Sequence, residues 1–60
     1  MPNYRCFFFA RSKLVGREEF VATDDEAATL KGHELFNASN HPRMEIWAMQ
    51  GRLCVLKRDP

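Results

Sequence analysis

Tyr4-Arg5-Cys6-Phe7-Phe8-Phe9-Ala10 is the stretch on which the fold turns. Aromatic residues crowd it as they do β-strands, and Pro2 stands just ahead, where a missing N–H does least harm. Side chains alternate across a strand, so Tyr4, Cys6, Phe8 and Ala10 point one way while Phe7 and Phe9 point the other. Both faces are apolar, so both expect cover. A strand of this kind belongs in the middle of a sheet.

Arg11, Ser12 and Lys13 form a polar break after it. Leu14 to Ala22 resumes in β character, with Gly16 as a possible bulge. Arg17, Glu18 and Glu19 charge this second strand and suit an edge, where charge discourages pairing with another chain. The two strands read as an antiparallel hairpin.

Thr23-Asp24-Asp25-Glu26 has the spacing of a capping box, and Asp24 and Asp25 favour a positive helix N-terminus. The helix is expected from Asp24 to Asn37. Ala28, Gly32, Leu35 and Phe36 share one stripe, flanked by Ala27. Gly32 costs about 1 kcal/mol in helix propensity against alanine, which a close helix-to-sheet approach would explain. Asn37, Ser39, Asn40 and Pro42 end the helix. Met44 to Met49 is a third strand, with Met44, Ile46 and Ala48 on one side and Glu45, Trp47 and Met49 on the other. Gln50-Gly51 reads as a tight turn. Leu53 to Leu56 is a fourth strand, apolar on both faces, and Lys57, Arg58 and Asp59 form a solvated end.

The resulting order is ββαββ, an α+β fold in a single domain over residues 1–60. A four-stranded mixed sheet carries one helix on one face. The first and fourth strands are the doubly apolar ones, so they are placed centrally and parallel, in the order 2-1-4-3. The right-handed crossover rule sets the helix over the central pair. Because one helix covers one face, an apolar face is left over. Phe7, Phe9, Trp47 and Met49 are its expected members, with Arg5, Arg11 and Arg52 as a basic flank. Either sheet face could be the one that meets the helix.

Sixty residues make one small domain whose own core is marginal. With 45% hydrophobic and 28% charged residues, the composition is globular. The longest uncharged apolar run, Cys6 to Ala10, is far too short for a membrane helix, and no secretion signal is expected. A net charge of +1 calls for no strongly charged partner. A cytoplasmic location follows from these features as an expectation.

Candidate chemistry is sparse. Cys6, His33, His41 and Cys54 match a zinc count but not a zinc spacing, so no metal and no cofactor are expected. Two cysteines on strands read as buried thiols. His33 reads as a solvated helix residue and His41 as a turn residue. Glu18, Glu19, Asp24, Asp25 and Glu26 are accounted for by capping and by strand exposure. Pro2, if exposed by removal of Met1, resembles the N-terminal base of small tautomerases, with Arg11 offered to a substrate carboxylate. Those proteins pass from their first strand almost directly to a helix, whereas here a second strand intervenes. Arg5-Cys6-Phe7-Phe8-Phe9 mixes basic and aromatic side chains, as in sheets that stack nucleic-acid bases.

Tyr4-Arg5-Cys6-Phe7-Phe8, Glu18-Glu19, Asp24-Asp25-Glu26-Ala27, Glu45-Ile46-Trp47 and Gly51-Arg52 together resemble a family of short uncharacterised alphaproteobacterial proteins. The resemblance spans nearly the whole chain and implies a soluble bacterial protein with no assigned activity. It transfers no catalytic residue. An Asp/Gly-rich first turn would fit that family, where this chain has Arg11-Ser12-Lys13.

The functional expectation is a non-catalytic interaction module. A homodimer through the open sheet face comes first, since symmetric self-association commonly buries such surfaces. A single-stranded nucleic-acid binder using the sheet aromatics and flanking basic residues is the alternative. A tautomerase-like enzyme with Pro2 as base is the third.

Overall fold

The computed structural model describes residues 1–58. Its elements are β1 (Asn3–Ala10), β2 (Lys13–Val21), α1 (Asp25–Ala38), β3 (Arg43–Ala48) and β4 (Gly51–Lys57). The strands form one sheet in the order β2-β1-β3-β4, and every pair in it is antiparallel. The fold is α+β with the expected ββαββ order. The sheet is not mixed, and β3 rather than β4 lies beside β1. Asp59, expected in a solvated end, falls outside the described residues.

The physical reason for this order lies in two strands. Met44 and Ile46 of β3 are completely buried, so β3 needs a neighbour on each side under the helix. β4 is less apolar outward than simple alternation suggests. Its ladder with β3 slips between Ile46 and Trp47, because Cys54 faces Ile46 while Arg52 faces Trp47. Leu53 is the extra residue of this bulge and packs into the core, while Arg52 is re-aimed to the open face. The outward positions of β4 are therefore Arg52, Val55 and Lys57, which suits an edge. Antiparallel pairing of β1 with β3 is also somewhat more stable per residue than the parallel β1–β4 pairing.

The first hairpin closes through two residues, Arg11 at φ 55° and Ser12 at φ 67°. A primed turn of this kind matches the twist of the flanking strands but demands left-handed backbone at both positions. Side-chain-bearing residues meet that demand at roughly 1–2 kcal/mol each. The double substitution Arg11→Asn with Ser12→Gly should therefore raise stability by about 1–2 kcal/mol. Urea unfolding followed by circular dichroism checks this; an unchanged or lower midpoint would show that the turn carries no strain.

Asp24 is the helix N-cap, its Oδ1 accepting from the Ala27 N–H at 2.8 Å. The cap thus sits one residue beyond Thr23, and Asp24 takes the role expected of the Thr23–Glu26 pair. Ala28, Gly32 and Phe36 are buried, as the stripe requires. They meet the even-numbered face of β1 and β3. Cys6, Phe8, Phe36, Met44 and Ile46 form one cluster, and Tyr4, Ala22 and Ala28 a second. Tyr4 reaches from the sheet to the helix start, its hydroxyl donating to Asp25 Oδ1 at 2.9 Å.

The other helix end is held from the far side of the chain. Arg58 is no free tail: its Nε donates to His41 O at 2.9 Å, and its terminal nitrogen donates to Ser39 O and Phe36 O. Its guanidinium also lies 4.3 Å from the centre of the Phe36 ring. No basic residue stands in the last turn of α1, so this distant arginine supplies the cation and the donors that the exposed carbonyls require.

Candidate functional site

With Tyr4, Cys6 and Phe8 under the helix, the odd positions of β1 form the uncovered face. Cross-strand partners share a face, so the ladders give its rows directly. One row runs Glu19, Arg5, Trp47, Arg52; the next runs Arg17, Phe7, Glu45, Val55; the third runs Leu14, Phe9, Arg43, Lys57. Arg5 and Arg52 bracket Trp47 in the first row, Arg17 stands beside Phe7 in the second, and Arg43 beside Phe9 in the third. The face is thus mixed throughout, where a contiguous apolar patch with a basic flank was expected.

Charge is segregated between the two sides of the molecule. Arg5, Arg17, Arg43, Arg52 and Lys57 share the open face with only Glu19 and Glu45. Asp24, Asp25, Glu26 and Glu34 belong to the helix and its cap and Glu18 pairs with Cys6 on the helix side, where Lys31 and Arg58 oppose these five carboxylates. The net charge of +1 therefore hides a basic front and an acidic back.

Glu45 organises the centre of the face. It is 8% exposed, although it points away from the helix. Its Oε2 accepts from Arg43 at 2.8 Å and lies 3.7 Å from Arg52; its Oε1 accepts from the Trp47 indole N–H at 3.0 Å. The carboxylate is compensated by two guanidinium groups and fixes the edge of the indole. Arg43 in turn lies 5.3 Å from the centre of the Phe9 ring, within cation–π range. Phe9 is thereby already occupied, while Phe7 and Trp47 are not.

Of the expected interaction residues, Phe7, Phe9 and Trp47 lie on the open sheet face. Met49 does not belong to a strand: with Gln50 it makes the β3–β4 turn, one residue before the expected Gln50-Gly51 pair. It nevertheless lines a hollow of about 630 Å³ together with Asn3, Arg5, Phe7, Trp47 and Gln50. Arg5 and Arg52 flank Trp47 on its two neighbouring strands. Arg11 sits in the β1–β2 turn at the opposite end of β1 and takes no part. That position also removes it from Pro2, which lines a hollow together with Tyr4, Asp24, Asp25 and Glu26. Arg17, Arg43, Glu45 and Lys57 complete the face beyond expectation. The signal for two of them is the spacing Arg43-x-Glu45-x-Trp47, which puts three interacting side chains on one side of a strand.

The thiols lie on the covered side. Cys6 and Cys54 flank Ile46 from β1 and β4, two strand spacings or roughly 10 Å apart, too far to bridge. Burial, aided by Glu18, pushes the Cys6 thiol up to about 11, and burial also raises Cys54. The folded protein thus holds the Cys6 proton more tightly than the unfolded chain. The stability tied to that proton is complete below the ordinary thiol range and is lost as pH rises through about 11. Thermal melts between pH 8 and pH 11 should fall more steeply for this protein than for a Cys6→Ala variant. Parallel curves would remove Cys6 as the cause.

His33 is exposed on the helix, and His41 packs its ring against Phe8 at 5.0 Å. Among the described residues, no group of three or more His, Cys, Asp and Glu side chains is placed to hold a metal ion. Nor is any described helix long and apolar enough to cross a membrane. Comparison of the chain with protein-family models, with curated proteins and with solved structures finds no match, so the geometry of the open face stands alone as its functional description.

Proposed function

We propose that the open face binds single-stranded nucleic acid, with Phe7 and Trp47 as the stacking surface and Arg5, Arg17, Arg52 and Lys57 as phosphate partners. The observation that carries this reading is the neighbouring of rings and cations on one sheet face, where five basic residues stand with two acidic ones, Glu19 and Glu45. Bases stack on aromatic groups without regard to sequence, and a cationic surface tracks the backbone. A second copy of the chain suits the face less well. Face-to-face packing would set five cations and two carboxylates against the same set, an excess of positive charge on each side. Loss of solvent strengthens such repulsion.

The test is fluorescence anisotropy of a labelled single strand titrated at increasing salt. Binding should be evident at low salt and should weaken with a log–log slope of about −2 if roughly three phosphates are neutralised. Absence of any anisotropy change at low salt with excess protein would sink the proposal. Sedimentation in the same buffers separates the homodimer, because association through apolar surface survives high salt and phosphate binding does not.

A further inference from the structure

We infer that the hollow at the Trp47 end of the open face receives one unpaired base of a bound strand. The inference rests on the nucleic-acid reading and narrows it from a face to a single position. Three features converge there. Phe9 is covered by the Arg43 guanidinium, so the free rings are Phe7 and Trp47, both of which line the hollow. The Trp47 indole is held at one edge by Glu45, so its orientation is set before any ligand arrives. The remaining rim offers apolar contact from Met49, which is 92% exposed, and amide groups from Asn3 and Gln50.

The hollow, about 630 Å³ in volume, falls in the range of small-ligand sites and is larger than one base, so it admits a base together with part of its sugar and phosphate. Arg5 lies within the hollow's lining and Arg52 stands on the other side of Trp47, so the flanking phosphates meet a cation on each side. Asn3 and Gln50 carry both donors and acceptors and can meet the edge of any base. A base stacked in the hollow would leave the rest of the strand on Arg17 and Lys57, where contact is with backbone alone.

The chain contains a single tryptophan, which reports on this position directly. Two oligonucleotides are compared, one intact and one in which every base is replaced by an abasic unit. Anisotropy reads overall binding, and Trp47 fluorescence reads the hollow. The intact strand should bind roughly 5- to 150-fold more tightly and should quench Trp47, while the abasic strand should leave its emission largely unchanged. Met49→Ala should weaken the intact strand severalfold and leave the abasic strand unaffected. Equal affinity and equal quenching by both strands would overturn the inference while leaving the phosphate-binding face in place. Failure of both strands to bind would overturn the two together. A nucleoside monophosphate that binds as tightly as the intact strand would show that the hollow serves a free nucleotide, and would overturn the assignment to a strand.

Discussion

Gly32→Ala should lower the stability of this protein, against the helix propensity of the two residues. Alanine is better than glycine by about 1 kcal/mol inside a helix. At position 32, however, a Cβ would overlap Ile46 Cδ1 and stand 3.0 Å from Ile46 Cγ1 and 3.4 Å from Met44 Cε. Ile46 and Met44 are themselves completely buried, so neither can swing into solvent. Overpacking of a filled core costs about 1–3 kcal/mol, and the overlap with a buried side chain sets it towards the upper end, so that after the propensity gain a net loss of up to about 2 kcal/mol remains. At this chain length each kcal/mol moves the melting temperature by roughly 4–8 °C. The partner variant makes the cause identifiable. Ile46→Val removes the overlapping methyl, so Gly32→Ala should cost little in its presence and could even stabilise. A higher melting temperature for Gly32→Ala alone would show that helix and sheet are not pressed together here.

Ile46→Ala should lower stability by about 2–5 kcal/mol. A domain of this size holds roughly 3–9 kcal/mol in all, so the variant sits at the edge of folding. Trp47, its immediate neighbour, provides the contrast. It faces the other way, is 36% exposed and touches no core cluster, so Trp47→Ala should cost well under half as much. Urea titrations of the two variants decide the matter. Comparable losses would mean that the open face is as much a part of the folded core as the helix side, and that its aromatic residues are there for stability.

Much of the architecture is legible in the residues themselves. The Tyr4–Ala10 pattern, the Asp24–Glu26 cap region, the Ala28/Gly32/Phe36 stripe and the charged second strand each report a local preference, and local preferences agree with the fold at those places. Strand order is less accessible. It depends on the bulge that turns Leu53 inward, and a period-two reading of Leu53–Leu56 cannot register an extra residue. The same bulge conceals that Arg52 faces outward with Trp47. Glu45 is hidden for another reason. A carboxylate between apolar neighbours reads as a solvent-facing residue, and only the adjacency of β4 and the reach of two arginines show it to be nearly buried. The role of Arg58 is invisible to any local reading, since its partners lie 17 to 22 residues earlier in the chain.

The division of charge between the two sides of the sheet has a consequence for how this molecule behaves in different electrolytes. It measures 33 × 18 × 15 Å, so front and back are separated by little more than one sheet and one helix. At physiological ionic strength the screening length is about 8 Å, shorter than that thickness, and an approaching anion senses the near side only. At roughly 10 mM salt the screening length reaches about 30 Å, so the field of the basic front, opposed only by the more distant acidic side, extends well beyond the surface. The molecule thus turns its basic side toward a polyanion most strongly in dilute electrolyte, and loses that torque as ions are added.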